Sequence, residues 1–116
     1  MTLQEIMKLQ ADFDAAHESA HQWGRSVKDG TPVVLEHSVI CLLGELGEFA
    51  NKLKKVNRGD TSYENARGDL LEELTDVFIY LMQIANQMEV NLQDSYLDKL
   101  AKNRVRFANY ERKERG

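Results

Sequence analysis

The sequence has one cysteine, one proline and no long run of apolar residues. Because Cys41 has no second cysteine to pair with, an intrachain disulfide framework is excluded and a reducing compartment, the cytoplasm, is expected. No segment has the length and apolar character of a membrane span or a secretory signal, so we expect a soluble protein without a membrane partner. The single proline, Pro32, leaves the rest of the chain free to form uninterrupted helices.

The charge is small and unevenly distributed. The 116 residues carry a formal net charge of −4 at pH 7, which argues against a general nucleic-acid binder. Residues 99–116 nevertheless hold seven lysines and arginines against two glutamates, so this end could contact phosphate. A hydrophobic content of 42% is enough for one ordinary core, and we predict one domain over residues 1–116.

Apolar residues recur at spacings of three and four, which is typical of helices, and no segment shows the alternation of a strand. Four helices are predicted, with apolar stripes over 6–23, 39–56, 70–88 and 96–107. Thr61 followed by Glu64 predicts a capping box at the start of the third helix. Short connections favour a four-helix up-down bundle. The irregular fourth stripe predicts a homo-oligomer, either a dimer or a tetramer, with sites near subunit boundaries.

Two pairs of acidic residues stand at helical spacing. Glu45 and Glu48 lie three apart on the second helix, and Glu73 and Asp76 lie three apart on the third. In an antiparallel hairpin, residues equally distant from the turn lie at the same height. The pairs are symmetric about residues 60–61, where the turn is independently predicted. We therefore expect all four carboxylates to converge on one side of the hairpin.

Clustered carboxylates repel one another and raise each other's pKa unless a cation compensates. An all-oxygen set without histidine or thiolate suits Mg²⁺, with Mn²⁺ as a possible substitute, rather than zinc. The alternative is two acidic surface stripes balanced by Lys52 and Lys55, with Lys52 forming a plain salt bridge to Asp69. Spacing alone leaves both interpretations open.

Three stretches carry a resemblance to a known family. They are GELGEFANKLKK (44–55), EELTDVFIYLMQIA (72–85) and DKLAKNRVRF (98–107). Together they resemble the MazG-like all-α nucleoside triphosphate pyrophosphohydrolases, whose signature is ExxE followed, after a variable gap, by ExxD. The resemblance covers roughly residues 35–107 and includes both acidic pairs.

The resemblance implies that Glu45, Glu48, Glu73 and Asp76 are the catalytic residues and Mg²⁺ ligands. The candidate substrate-binding residues are Trp23, Lys52, Tyr80, Lys99, Asn103 and Arg104. Trp23 ends a helical stripe and is expected in the core, with an edge able to reach the base. Many relatives carry an extra glutamate before the first ligand, where this chain has Gly44, so the water-activating base stays open.

The implied activity is hydrolysis of a nucleoside triphosphate between the α and β phosphates, giving a monophosphate and pyrophosphate, as nucleotide-pool house-cleaning. A ferritin-like metal bundle is disfavoured because the second and third helices lack Glu-x-x-His pairs. A non-catalytic oligomerisation or regulatory module with an acidic surface remains the alternative.

One further motif points elsewhere. Residues 17–21 read HESAH, which matches the HExxH zinc-protease pattern. The longer zinc-protease pattern needs a third histidine where Val27 stands, and such proteases also need a sheet. We therefore interpret His17 and His21 as a solvated or pocket-lining pair.

Overall fold

Four α-helices make up the described part of the protein. The computed structural model describes residues 1–17, 26–27 and 32–110. The helices are α1 (Leu3–Ala16), α2 (Val33–Asn57), α3 (Tyr63–Gln87) and α4 (Leu92–Arg106), and a short 3-10 helix follows at Ala108–Tyr110. These residues contain no strand, which confirms the all-α prediction. Within them, no helix combines the length and apolar character needed to cross a membrane.

A hairpin of α2 and α3 forms the largest packing unit. Its turn is closed by Gly59, whose φ of 89° lies in the left-handed region that favours glycine. The Gly59 N–H donates to the Val56 carbonyl at 3.1 Å, and the Asp60 N–H donates to the Lys55 carbonyl at 2.9 Å. This is a Schellman motif, which satisfies the last carbonyls of α2 and reverses the chain.

The start of α3 differs by one residue from its prediction. The N-cap is Ser62, whose hydroxyl accepts a hydrogen bond from the Asn65 N–H at 3.2 Å. The predicted capping box of Thr61 and Glu64 is wrong, because the residue three positions after the true cap is an asparagine. The turn still includes residues 60–61, midway between the two acidic pairs.

α1 packs against the second half of α3. Met7 of α1 is 1% exposed and contacts Met82 and Ala85, and the Asn86 side-chain amide donates to the Met7 carbonyl at 3.1 Å. The structure ends α1 at Ala16, whereas the apolar pattern extended it to residue 23. Residues 18–25 lie outside the described part of the chain.

Much of the predicted core is exposed in the single chain. Leu46, Leu74 and Leu81 belong to the predicted apolar stripes, yet they are 45%, 52% and 42% exposed. The other large apolar side chains exposed on α2 and α3 include Ile40, Leu43, Leu53, Leu71 and Phe78. On each helix these residues recur at mostly three- and four-residue spacings, so the hairpin presents an apolar surface that its own chain leaves uncovered.

Candidate active site

The carboxylates of α2 and α3 converge as the hairpin register predicts. Glu45, Glu73 and Asp76 each offer an oxygen, and these oxygens all lie within 4.8 Å of one another. Glu48 is not within this tight group, but it lies close enough to help lower the pKa of Glu73. The four predicted ligands therefore form one acidic cluster, with three of them at its centre.

Lys52 provides the positive charge nearest to this cluster. Its Nζ lies 2.8 Å from Glu73 Oε1, and the Glu73 side chain is only 10% exposed. The suggested salt bridge with Asp69 is wrong, since the long lysine side chain reaches one turn further along α3 to the less exposed carboxylate. The pKa of Glu73 is lowered, first by its hydrogen bond with Lys52 and then by its contact with Glu45.

The pKa of Glu45 is shifted in the opposite direction. Its pKa is raised to about 7, first by hydrogen bonding to Glu73, then by burial and then by the charges of Glu48 and Asp76. A carboxyl with this pKa shares a proton with its neighbour because two bare carboxylates cannot lie so close together. Near neutral pH this carboxyl is therefore partly protonated, at a position where a cation would fit.

The donor set suits a bound divalent metal. Glu73 Oε2 is buried and has no hydrogen-bond donor when its neighbours are ionised. Such an oxygen needs either a proton from a neighbouring carboxyl or a cation. Because the converging donors are all carboxylate oxygens, they suit a hard divalent cation.

A cleft of about 390 Å³ opens beside the carboxylates. Its lining comes from α1, α2 and α3 and consists of Gln10, Phe13, Glu45, Asp76, Ile79, Tyr80 and Gln83. The predicted contact Tyr80 is therefore next to the acidic cluster, and the pKa of its hydroxyl is raised mainly by burial. The sequence reasoning missed Gln10, Phe13 and Gln83. Gln83 could have been found, because it continues the α3 stripe that runs through Asp76 and Tyr80.

Three predicted substrate contacts are not brought to this cleft within one chain. Lys99, Asn103 and Arg104 lie on α4, which packs against α1, and they are not among the residues that line the cleft. Trp23 lies outside the described residues. The substrate roles of these four residues remain predictions.

The HExxH motif has no metal-binding geometry in the part of it that is described. The ring Nδ1 of His17 lies 2.7 Å from the Phe13 carbonyl, at the end of α1. Among the described residues, His17 does not belong to any group of converging metal ligands. His21 lies outside them.

Gly44 occupies the position where many MazG-like proteins have an extra glutamate. A Cβ built on Gly44 would meet no heavy atom within 4 Å. The missing carboxylate is therefore not a consequence of crowding.

Comparison with known proteins identifies a family and several relatives of this chain. A family model described as dUTPase matches residues 2–112. The Gene 37 protein of Mycobacterium phage L5 is 48% identical over 59 residues, which cover 48% of this chain and 51% of the phage protein. The dCTP pyrophosphatase 1 proteins of Homo sapiens and Rattus norvegicus are 31% and 30% identical over 112 residues, covering 91% of this chain and 59% of each relative.

The chain thus spans between half and three-fifths of the length of these relatives. No solved structure matches it significantly. Because the family match extends over nearly the whole chain and includes both acidic pairs, this protein belongs to the dUTPase family, whose members share the MazG-like all-α fold.

Proposed function

We propose that the protein is a Mg²⁺-dependent nucleoside triphosphate pyrophosphohydrolase. The observation that carries this proposal is the convergence of Glu45, Glu73 and Asp76 within 4.8 Å, beside an open cleft. The relatives named dCTP pyrophosphatase support the reaction class. In the reaction, the oxygen of a water molecule bonds to the α-phosphorus and the bond to the α–β bridging oxygen breaks. The products are a nucleoside monophosphate and pyrophosphate, as suits nucleotide-pool house-cleaning.

The acidic cluster would hold the metal through Glu45, Glu48, Glu73 and Asp76, and Mn²⁺ could substitute for Mg²⁺. When bound, the metal supplies charge for the phosphate oxygens and lowers the pKa of the attacking water. Lys52, already at the edge of the cluster, is placed to neutralise phosphate charge once a metal compensates Glu73. Tyr80 lines the cleft one turn beyond Asp76 and would contact the nucleotide.

We propose further that the protein is a homo-oligomer, a dimer or a tetramer. The support is the exposed apolar surface of the α2–α3 hairpin, which a second copy could cover. An assembly of this kind would place nucleotide sites near subunit boundaries. Lys99, Asn103 and Arg104 would then meet phosphate in the assembly rather than in the single chain.

The test is incubation of the purified full chain with Mg²⁺ and each ribo- and deoxynucleoside triphosphate, with products separated by chromatography. We expect a monophosphate and pyrophosphate in equal amounts, and no product when EDTA is in excess. Glu73→Gln should be inactive, and Glu36→Gln, on the exposed part of α2, should be active. Release of inorganic phosphate and a diphosphate would contradict the proposed bond cleavage. No product from any nucleotide would favour a non-catalytic oligomerisation or regulatory module.

A further inference from the structure

A buried carboxyl joins α1 to α3. Asp14 of α1 is 1% exposed, and its Oδ1 accepts hydrogen bonds from two side-chain amides. The donors are Gln10 Nε2 at 2.8 Å, from the same helix, and Gln83 Nε2 at 3.1 Å, from α3. The bond from Gln83 therefore links the two helices through buried polar groups, in addition to the apolar contacts of Met7.

The remaining oxygens of these two joined groups have no partner. Asp14 Oδ2 and Gln83 Oε1 are both buried, and neither takes part in a hydrogen bond. Buried polar atoms in folded proteins nearly always have partners. Both atoms are acceptors when Asp14 is ionised, so the two groups together lack one donor. A single proton on Oδ2 supplies that donor and needs neither a ligand nor access from solvent.

The surroundings of Asp14 also favour its neutral form. Burial is the largest influence on the pKa of Asp14 and raises it above the ordinary value of 3.8, against the opposing effects of Gln10, Gln83 and the charge of His17. Within the described part of the chain, no lysine or arginine forms an ion pair with Asp14. A buried carboxylate without a cation is costly, and such a group usually takes up a proton instead.

The protonation of Asp14 is separate from that of the acidic cluster. The element packed against Asp14 is α3, and the group with which α3 meets it is the uncharged amide of Gln83. The titratable side chains that line the neighbouring cleft are Glu45 of α2 and Asp76 and Tyr80 of α3. None of these three is among the causes of the shift in the pKa of Asp14. The charge that does act on Asp14 is that of His17, which follows α1.

We propose that Asp14 is protonated on Oδ2 in the folded protein and donates to Gln83 Oε1, so that Asp14 and Gln83 form a closed acid–amide pair. Two hydrogen bonds in opposite directions then join α1 to α3. Loss of the proton removes one of these bonds and leaves a buried negative charge facing an amide oxygen. The acid–amide pair is therefore a pH-sensitive latch, which holds α1 on α3 at low pH and weakens as the pH rises.

Release of the latch would change the cleft. Gln10 and Phe13 are the residues of α1 that line the cleft, so the cleft loses both when α1 moves away from α3. The protonation of one buried carboxyl is thus coupled to the shape of the cleft. The inference goes beyond the proposed function and does not depend on it, because it rests only on the packing of α1 against α3.

The direction of the pKa shift gives the sign of the pH dependence. Because the pKa of Asp14 is higher in the folded state than the ordinary value of 3.8, the latch contributes its full stability below that value. It loses this stability as the pH rises through the folded pKa. Asp14→Asn keeps the pair closed at every pH, because its amide donates where the protonated acid donates.

The test is the Tm of the wild type and of Asp14→Asn from about pH 4 to about pH 8. We expect the Tm of Asp14→Asn, relative to that of the wild type, to increase as the pH rises. Glu45 is unchanged in both proteins, so its own titration cancels in the comparison. Asp12→Asn is the control, because Asp12 lies on the same helix, is exposed and pairs with Lys8. Its Tm profile should follow that of the wild type.

Hydrogen exchange shows where the protein opens. In the wild type, the protection of the α1 amides relative to those of the α2–α3 hairpin should fall by up to about tenfold per pH unit above the folded pKa of Asp14. In Asp14→Asn the relative protection should not change with pH.

NMR titration of the Asp14 carboxyl carbon in the wild-type protein reports the proton directly. Its midpoint should lie above 3.8. A midpoint at or below this value would show that Asp14 is ionised in the folded protein, and it would overturn the proposal even if Asp14→Asn failed to fold. A Tm difference between Asp14→Asn and the wild type that stays constant or decreases as the pH rises would also overturn it.

Discussion

Lys52 Nζ lies 2.8 Å from Glu73 Oε1, so the least exposed carboxylate of the acidic cluster already has a cation beside it. This ammonium group compensates part of the charge that a divalent metal would otherwise neutralise. The metal-free cluster is thereby tolerable within the fold.

Replacing Lys52 with methionine should therefore make the fold more dependent on metal. We expect Lys52→Met to have a lower Tm than the wild type in EDTA, and a larger rise in Tm when Mg²⁺ is added. Scanning calorimetry with and without Mg²⁺ measures both quantities. Lys55→Met is the control, since Lys55 is exposed on the same helix and should change neither. Equal Tm values for Lys52→Met and the wild type in EDTA would contradict this role.

Neutral substitutions within the acidic cluster should abolish turnover without unfolding the protein. Glu73→Gln and Glu48→Gln each remove a charge while keeping the shape of the side chain, and both should lower kcat by orders of magnitude. The double variant should be hardly worse than either single variant, because each substitution spoils the same site. Steady-state kinetics and circular dichroism measure these effects. Modest and additive losses would indicate an acidic surface instead of a site.

Glu72 distinguishes two accounts of the missing base. It neighbours Glu73 in sequence but is exposed, and it is not among the converging ligands. Glu72→Gln should have a small effect unless Glu72 replaces the glutamate that is absent at Gly44. A large loss of kcat with unchanged metal affinity would assign Glu72 that role.

The raised pKa of Glu45, about 7, predicts how pH acts on the metal-free protein. Since this pKa exceeds the unfolded value of 4.5, the folded state binds the proton more tightly. The free energy of unfolding should therefore rise as the pH falls from 8 through 7, and keep rising until about pH 4.5. Urea denaturation in EDTA measures this slope. Glu45→Gln should show a flatter profile, and a wild-type profile equally flat would refute the prediction.

The affinity for Mg²⁺ should change in the opposite direction and fall as the pH falls. Because Glu45 must lose its proton to bind a metal, Mg²⁺ affinity should fall by about tenfold per pH unit below pH 7. Calorimetric Mg²⁺ titrations at several pH values measure this change. Metal binding should release protons to the buffer. Proton uptake on metal binding would contradict this prediction.

The same substitution, glycine to alanine, should change the free energy of unfolding in opposite directions at two positions. Gly59 has a φ of 89°, so Gly59→Ala should destabilise the protein by about 1 kcal/mol through backbone strain alone. Gly68 lies within α3, and a Cβ there meets nothing within 4 Å. Gly68→Ala should stabilise the protein by about 0.5–1 kcal/mol. Chemical denaturation of both variants tests the pair, and destabilisation by Gly68→Ala would contradict the helical environment assigned to it.

The sequence was sufficient to predict the features that depend on local spacing. The four helices follow from the apolar periodicity, and the convergence of Glu45 with Asp76 follows from their symmetry about the turn. The N-cap of α4 is likewise local, since Asn91 Oδ1 accepts from the Asp94 N–H at 3.1 Å. Each of these features involves residues on one helix or on two helices joined by a short turn.

Features that depend on long-range docking could not be predicted. Asp14 looks like an ordinary surface acid in the sequence, and only the packing of α1 on α3 places it between Gln10 and Gln83. Similarly, the apolar periodicity places Leu74 on the apolar face of α3 but does not show which residues cover that face. In the single chain Leu74 is 52% exposed. An apolar pattern identifies which face of a helix is hydrophobic, whereas the burial of that face depends on the element that packs against it.

The turn at Gly59 makes the acidic cluster a local structure, whereas the α1 side of the cleft depends on residues far apart in the sequence. The acidic cluster lies within residues 45–76, across a short loop whose closure costs little chain entropy. The Asp14–Gln83 bond instead spans 69 residues of sequence, so the docking of α1 on α3 beside the cleft requires a far less local contact. We therefore expect a refolding chain to bring its acidic cluster together before α1 docks beside it.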